Sequence, residues 1–308
     1  MENISYLKIG QKGVINFDIP IYTIGQGGVS FAITCSVHGD ETAGLFIVND
    51  FLKRIKGKKL NGMIHIIPSA NPIAQLTNSR VAFIDHKDLN RLNKGRIDGS
   101  YTERVVANLF DFLIKCNMVI NIHEFEMKTP VACIFDNMDN ISQKEQILSM
   151  IKVFSPQIVW QLNYDKQVEA QYQTTLDMAL TNAKIINFAF ETSQLSLITD
   201  EEIKIASQGL LNVAIKLGIF DDENLQQKET IFMTRNEVTN DISGLWEAKQ
   251  DLSLMQNIKK GDLIGTITTL PDFKKSEIYS PFSGILMQYR HRQMISTGTS
   301  IFSIGYQQ

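Results

Sequence analysis

The sequence predicts an α/β fold, with a mixed, mostly parallel sheet that has helices on both faces, followed by a small all-β domain. Apolar, strand-like runs alternate with amphipathic, helix-like segments until about Phe220, which is typical of a sheet covered by helices. After the acidic stretch 221–224, short strands with glycine turns replace that alternation. A chain of 308 residues is long enough for one large domain and a modest second one. We therefore expect one domain over residues 1–221 and another over 222–308.

Composition excludes several classes of protein. A hydrophobic content of 44% with 20% charged residues predicts a sizeable core rather than disorder. The net charge of -3 argues against a protein that binds nucleic acid by neutralising phosphates. No apolar run approaches the roughly 18–20 residues of a membrane span, and the first residues lack the pattern of a signal peptide. The three cysteines, Cys35, Cys116 and Cys133, lie in or beside apolar runs, as reduced core thiols do in cytosolic proteins. We therefore expect a cytoplasmic protein that binds neither nucleic acid nor membrane.

The strongest local signal is the apolar, β-branched run 31–37, which predicts a buried strand. His38-Gly-Asp-Glu41 follows it, and residues 41–53 have the apolar spacing of a helix. Residues 69–98 form a long polar segment without clear periodicity. Loops of that length inside a compact domain are usually functional or disordered.

The other predicted elements continue the alternation along the chain. Ser100-Tyr-Thr-Glu103 is a capping box that begins a helix to about residue 115. His123 stands at the end of a predicted strand, and so does Glu191. The predicted elements around them are a hairpin at 14–24, strands at 62–68, 118–122, 131–135, 158–162 and 184–191, and helices near 141–153, 172–181 and 200–217.

The C-terminal part contains a loose internal repeat. Ser243-Gly-Leu-Trp246 precedes Ile258–Gly265, and Ser283-Gly-Ile-Leu286 precedes Ile295–Phe302. Two similar β-halves that close on each other resemble the barrel-sandwich hybrid of biotinyl and lipoyl carrier domains. The Met-Lys-Met tripeptide that such carriers usually display does not occur in the chain. We therefore expect a β-module that covers or narrows the mouth of an active site.

Three residues predict a metal site, namely His38, Glu41 and His123. Each lies at the end of a predicted strand or at the start of its helix, and the carboxyl ends of parallel strands are where open α/β sheets bind ligands. Two histidines and one glutamate leave a coordination position free, as catalytic zinc sites do. Taken singly, His123 also fits a core histidine, and Glu126 is a second candidate for the carboxylate ligand. We prefer Glu41 because it opens a long helix whose first turn can hold it rigidly.

The polar segment supplies a candidate clamp for an anion. It contains Asn71-Pro72, Arg80 and Asp88-Leu-Asn90-Arg91. An arginine side chain presents a planar fork that matches a carboxylate. A zinc enzyme that hydrolyses an acylated amino acid must hold the free carboxylate of its substrate.

These motifs together resemble the succinylglutamate desuccinylase/aspartoacylase family, relatives of the zinc carboxypeptidases. The resemblance covers nearly the whole chain and implies a zinc carboxypeptidase-like fold. It implies one Zn²⁺ per chain, bound by His38, Glu41 and His123. It also implies that Arg80 polarises the scissile carbonyl, that Asn90 and Arg91 hold the substrate carboxylate, and that Glu191 is the general base and then the general acid.

The chain departs from the family pattern beside His123. Family members often have Asp-Leu-His followed by a small hydroxyl residue, whereas this chain has Asn121-Ile-His123-Glu124. An acidic Glu124 near the metal would disfavour a second substrate carboxylate and would suit a substrate with an amine or a neutral tail. We therefore expect Glu124 to take part in substrate binding.

Three functions are compatible with the sequence. The first is a zinc amidohydrolase that releases an acyl group from a small N-acyl amino acid. The second is a carboxypeptidase-like hydrolase of a peptide or a peptidoglycan fragment, and the third is a zinc-binding regulatory protein without turnover. The intact set of His38, Glu41, His123, Arg80 and Glu191 favours an enzyme. The acyl group, the amino acid, the physiological metal and the oligomeric state, including a homo-oligomer, stay open.

Overall fold

The computed structural model describes residues 2–136, 142–163, 170–221 and 225–307. The helices are α1 (Ala43–Ile55), α2 (Pro72–Leu76), α3 (Tyr101–Leu113), α4 (Lys144–Phe154), α5 (Leu176–Asn182) and α6 (Asp200–Lys216), with short 3₁₀ turns at Leu89–Arg91 and Gln171–Thr174. None of the helices in the described part of the chain has the length and apolar character needed to cross a bilayer.

The strands up to the end of the α/β part are β1 (Glu2–Leu7), β2 (Gln11–Lys12), β3 (Ile15–Asn16), β4 (Ile19–Gly25), β5 (Ser30–Thr34), β6 (Met63–Ile67), β7 (Met118–Phe125), β8 (Ala132–Phe135), β9 (Ile158–Gln161) and β10 (Ile186–Ser193). The later strands are β11 (Phe232–Thr239), β12 (Gly244–Ala248), β13 (Asn257–Ile258), β14 (Leu263–Thr268), β15 (Lys275–Tyr279), β16 (Gly284–Tyr289), β17 (Arg292–Ile295) and β18 (Ser300–Tyr306).

The largest sheet has twelve strands in the order β1-β4-β6-β5-β7-β10-β8-β9-β11-β18-β16-β13. Its centre, β6-β5-β7-β10, is parallel, while β1, β4 and β8 pair antiparallel with a neighbour. The predicted mixed sheet is therefore confirmed.

Helices cover both faces of this sheet because side chains along its central strands alternate between two cores. Phe31 and Ile33 of β5 point into one core and Ala32 into the other. Ile120 and Val119 of β7 divide in the same way. Strands buried on both faces read as continuous apolar runs, which explains the pattern in the sequence. Helices α1, α4 and α6 pack on the first face, and α3 and α5 on the second.

Several element boundaries differ from the predicted ones. The N-terminal hairpin joins β1 to β4 and therefore begins well before residue 14. Pairing of β7 with β10 continues beyond His123 and Glu191 to the pair Phe125 and Ser193. His123 and Glu191 therefore lie inside their strands and not at the strand ends. Ladder hydrogen bonds extend a strand past its apolar run, which composition alone does not reveal.

The C-terminal part shares the large sheet, since β11 pairs parallel with β9 and antiparallel with β18. Strands β15-β14-β12-β17 form a second, antiparallel sheet. The two glycines of the sequence repeat, Gly244 and Gly284, begin β12 and β16. Both lie close to a neighbouring strand: a Cβ on Gly244 would lie 2.3 Å from the carbonyl oxygen of Thr268, and a Cβ on Gly284 would lie 2.4 Å from the carbonyl oxygen of Gly305. The predicted boundary at 222–224 lies outside the described residues, so the division into two domains stays a prediction.

Candidate active site

Two imidazoles and one carboxylate meet at the centre of the large sheet. Nδ1 of His38 lies 2.5 Å from Oε1 of Glu41, and Nδ1 of His123 lies 2.8 Å from Oε2 of the same carboxylate. The candidate ligand atoms of the three side chains all lie within 4.8 Å of one another, and all three residues are buried. The structure thus brings together the three residues that the sequence selected, although more than 80 positions separate His38 from His123.

Glu41 reaches this position from a loop and not from a helix. The residue precedes Thr42, which caps α1, and the helix begins only at Ala43. The prediction that the first helical turn holds Glu41 is therefore wrong. Its backbone is held instead by Ser36, whose hydroxyl donates to the Glu41 carbonyl over 3.0 Å, and its carboxylate lies between the two imidazoles.

Glycine at position 39 permits a close approach between the His38 loop and α2. A Cβ there would lie 2.0 Å from the carbonyl carbon of Ala74 and 2.1 Å from the backbone nitrogen of Gln75. Asn71, which caps α2, donates from Nδ2 to the carbonyl of Val37 over 3.5 Å. The helix start therefore supports the loop that carries His38.

Replacing Gly39 with alanine is expected to destabilise the protein by about 1–3 kcal/mol, because the new methyl group meets backbone that cannot rotate away. The shift in the urea midpoint at unchanged slope measures this loss. Gly57, whose Cβ would meet no atom within 4 Å, has a left-handed φ of +78°, so Gly57→Asn is the control for a surface glycine. A Gly39→Ala variant as stable as the parent would contradict the close approach.

Asp88 holds two neighbouring groups of the site. Its Oδ1 lies 3.1 Å from Nε2 of His38, and its Oδ2 accepts hydrogen bonds from Nε and Nη2 of Arg80 over 3.1 and 2.9 Å. Burial alone would raise the pKa of Asp88, but His38 and Arg80 hold it well below its usual range. A histidine that turns Nδ1 to the centre and Nε2 to a carboxylate has the arrangement common among metal ligands.

The three central residues fit a zinc ion in donor type and charge. Burial alone would raise the pKa of Glu41, but the two imidazoles lower it well below its usual range. Burial lowers the pKa of His123, yet the Glu41 carboxylate outweighs this and raises it to about 9. The buried carboxylate is thus stabilised by positive charge at this point. Two imidazole nitrogens and one carboxylate are the ligand set of a zinc site with a free position.

Glu126, the alternative ligand, lines the same outer cavity but does not belong to the cluster of candidate ligands. Its side chain is 72% exposed and pairs with Nη1 of Arg290 over 3.1 Å. Glu124, its neighbour but one, is buried and lines the cavity in front of the site. One carboxylate oxygen of Glu124 accepts from the backbone N–H of Ala43, and the other accepts from that of Leu195 over 2.9 Å. Glu124 therefore ties the start of α1 to the loop after β10.

The two residues predicted to hold a substrate carboxylate differ in what they contact. Asn90 is buried, accepts from the backbone N–H of Leu176 over 3.0 Å, and has Nδ2 3.4 Å from Nε2 of His123. Arg91 donates from Nη1 to the carbonyl of Asn90 and lies 5.9 Å from the ring centre of Tyr172. Both Arg91 and Asn90 line the cavity in front of the site, and Asn90 also contacts His123.

Glu191 lies beside His123, because the two are direct neighbours in the parallel pair β7-β10. The residue is 7% exposed, and its Oε2 has no hydrogen-bond partner among the described residues. Burial raises the pKa of Glu191 to about 7, against the opposing effect of His123. A carboxyl group with a pKa near neutrality can both accept and return a proton at physiological pH.

Two cavities meet at His123 and Glu191. The outer one has an empty volume of about 1540 Å³ and a mostly polar wall that includes Arg80 and Arg91. The inner one has an empty volume of about 590 Å³ and is lined by residues of β10 and α5, among them Asp177. Residues Asn90, His123, Tyr172 and Glu191 line both cavities.

Sequence reasoning missed the arginines that the C-terminal part contributes. Arg235 of β11 is 5% exposed, and its guanidinium lies 3.8 Å from the ring centre of Trp160. Arg235, Glu237 and Arg290 line the outer cavity, so the C-terminal part contributes to its wall; that the β-module covers or narrows the mouth stays a prediction. Burial along β11 does not alternate, since Met233, Thr234 and Arg235 are all buried, so no periodicity in the sequence marks Arg235 as a site residue. Tyr279 is exposed and contacts Glu277.

Comparisons with known proteins agree with this geometry. Residues 27–217 match the sequence profile of the succinylglutamate desuccinylase/aspartoacylase catalytic domain. A relative from Halomonas elongata, N-alpha-acetyl-L-2,4-diaminobutyric acid deacetylase, is 22% identical over 93% of this chain and 85% of its own.

Two solved structures share the whole fold. The product-bound ectoine utilization protein EutE (DoeB) from Ruegeria pomeroyi has a TM-score of 0.85 at 20% identity, covering 99% of this chain and 94% of that one. A succinylglutamate desuccinylase/aspartoacylase from Rhodobacter sphaeroides has a TM-score of 0.84 at 16% identity, covering 100% and 96%. Because the matched profile spans more than half of the chain and includes His38, Glu41, His123 and Glu191, this protein belongs to the succinylglutamate desuccinylase/aspartoacylase family.

Proposed function

We propose that the protein is a zinc-dependent amidohydrolase that removes the acyl group from a small N-acyl amino acid. One observation carries this proposal: the His38, Glu41 and His123 ligand set adjoins a buried Glu191 at the meeting point of two cavities, and Oε2 of Glu191 has no hydrogen-bond partner in the described part of the chain. Zinc bound there would act as a Lewis acid and lower the pKa of water from 15.7 to about 7.

Arg80 is proposed to stabilise negative charge on the scissile carbonyl oxygen. Its Nη1 lies 3.4 Å from Nδ1 of His38 and 3.7 Å from Oε1 of Glu41, so the guanidinium borders the ligand set. Asp88 accepts two of its N–H groups and fixes its orientation. A donor held in place before the reaction stabilises a developing oxyanion without having to reorganise.

Glu191 is proposed as the proton carrier. Its Oε2, which no described residue pairs with, is available to accept a proton from the attacking water and then to return it to the leaving amine. The apolar strand around it excludes bulk water, which is what raises its pKa to about 7.

Arg91 is proposed to bind the α-carboxylate of the substrate from the outer cavity. Asn90 contributes mainly by position, since its two amide atoms contact Leu176 and His123. Glu124 stays a proposed determinant of substrate choice. Because backbone amides occupy both its oxygens and burial raises the pKa of its carboxyl to about 8, any effect at neutral pH would act mainly through the start of α1.

The relative from Halomonas elongata is named for an N-acetylated diamino acid, which supports an acetyl group and an amine-bearing product. Arg235, Glu237 and Arg290 of the C-terminal part line the outer cavity, and we propose that they restrict it to a small substrate rather than a peptide. The carboxypeptidase-like and the regulatory alternatives both predict the same ligand set, so activity must separate them.

The test combines metal analysis with a screen for amine release. We expect about one zinc per chain and release of the free amino acid from N-acetyl substrates, with loss of activity on chelation and recovery on adding zinc. N-succinyl and N-formyl amino acids test which acyl group is removed. Release of the C-terminal residue from dipeptides tests the carboxypeptidase alternative. Zinc binding without hydrolysis of any acyl amino acid would contradict the proposal.

A further inference from the structure

The inner cavity is chemically unlike the outer one. Its described wall combines apolar side chains such as Ile147, Leu162 and Phe188 with the carboxylates of Asp177 and Asp136. No lysine or arginine belongs to the described residues that line it. The arginines of the site, at positions 80, 91, 235 and 290, all line the outer cavity.

Two hydrogen-bond acceptors of the inner cavity are fixed by their neighbours. Asp177 of α5 is held through Oδ1, which accepts from Nδ2 of Asn121. Asn187 of β10 is 2% exposed and donates from Nδ2 to Oγ1 of Thr181 and to the carbonyl of Ile185, each over 3.0 Å. These two donations orient the amide and leave Oδ1 of Asn187 without a partner in the described part of the chain.

A buried acceptor without a donor, such as Oδ1 of Asn187, is costly. Asp177 is half-buried and accepts from Asn121; no described lysine or arginine lines the cavity beside it, and the positive group that acts on its carboxyl is His123, a candidate metal ligand. A ligand that brings a positive charge and several N–H groups would satisfy both acceptors together. A primary ammonium group, with three donors, has that chemistry.

We propose that the inner cavity binds the side chain of the amino acid that is released, and that Asp177 and Asn187 accept hydrogen bonds from its terminal ammonium group. This inference rests on the proposed deacylase function. The substrate class is then an N-acyl diamino acid, acylated on its α-nitrogen, with a short aliphatic side chain.

The position of the cavity relative to Arg91 supports this orientation. Arg91 lies in the outer cavity, and its sequence neighbour Asn90 lines both cavities, as Tyr172 does. A substrate whose α-carboxylate contacts Arg91 therefore has its α-carbon near the boundary between the two. Its side chain can enter the inner cavity while the acyl group stays on the outer side, near the arginines.

The experiment compares substrates that differ only in the terminal group. Nα-acetyl-2,4-diaminobutyrate is paired with N-acetylnorvaline, and Nα-acetylornithine with N-acetylnorleucine. We expect kcat/KM to favour the ammonium member of at least one pair by about 30-fold or more, the size of a charge-assisted hydrogen bond in a buried site. Asp177→Asn keeps the shape of the side chain and the oxygen that accepts from Asn121. In this variant the ratio of kcat/KM between the ammonium and the neutral substrate is expected to fall toward one, mainly because KM for the ammonium substrate rises.

A purely structural role for Asp177 would lower both members of a pair equally and leave the ratio unchanged. Asn187→Leu is the second variant, and Asp111→Asn on the exposed face of α3 is the control that removes a carboxylate far from the site. Calorimetric binding of the free products, ornithine against norleucine, to the zinc-loaded protein gives a readout that needs no turnover. Equal hydrolysis and equal binding of the neutral and the ammonium member of each pair would overturn this inference but not the proposed deacylase function. If none of these N-acetyl amino acids were hydrolysed, the proposed function itself would be overturned.

Discussion

Replacing Glu191 with glutamine is expected to lower kcat by about 10²- to 10⁴-fold, the range of general acid–base catalysis, while the zinc content stays unchanged. The amide keeps the volume of the side chain but cannot accept a proton from water. Glu191 is not one of the three ligand residues, so the metal should be retained. Steady-state kinetics and metal analysis on the same preparation measure both quantities.

The pH profile gives an independent check of the same role. Burial raises the pKa of Glu191 to about 7, so its carboxylate form increases as pH rises through that value. The rate of the parent enzyme should therefore fall as pH drops below about 7, and Glu191→Gln should lack this limb. Glu201→Gln, on the exposed first turn of α6, is the matched control. A Glu191→Gln variant with the parent kcat and the parent profile would assign the proton transfer to another group.

Replacing His123 with asparagine is expected to remove both the bound metal and the activity. Changes among the groups that merely orient ligands cost about 10- to 100-fold in metal affinity, so loss of a ligand should cost more. Asparagine keeps a polar side chain at this buried position, which limits the effect on folding. Zinc content after dialysis and the rate of amine release measure the two losses.

Thermal unfolding separates metal binding from catalysis in this experiment. A ligand that binds only the folded state raises the unfolding temperature, so zinc should stabilise the parent protein and not His123→Asn. His291→Asn, at an exposed position, is the control. Stoichiometric zinc in His123→Asn, with the parent shift in unfolding temperature, would show that this histidine is not a ligand.

The sequence was sufficient wherever a local pattern has one physical cause. The alternating burial of β5 and β7 follows from apolar runs at 31–37 and 118–122. The capping box at Ser100 and Glu103 begins α3 as predicted, with the Ser100 N–H donating to the Glu103 carboxylate over 3.0 Å. The three cysteines are buried free thiols, as their apolar surroundings predicted.

Patterns failed where the cause was not local. Strand ends were misplaced at His123 and Glu191 because pairing with a neighbour extends a strand beyond its apolar residues. The support of Glu41 was assigned to a helical turn, although its carboxylate is held between His38 of its own loop and His123 of β7. No spacing in the sequence records the contact with His123, which is 82 positions away.

What the sequence by itself determined is the set of residue types that can bind a metal, a carboxylate and a proton, together with the strands that carry most of them. The tertiary structure alone decided that Glu41 and not Glu126 joins the histidines, that Asp88 holds both His38 and Arg80, and that Asp177 and Asn187 share a cavity. The physical reason is that periodicity reports which face of an element is buried, whereas an active site depends on contacts between elements far apart in the chain. Only the packing of the sheet brings those elements within hydrogen-bond distance.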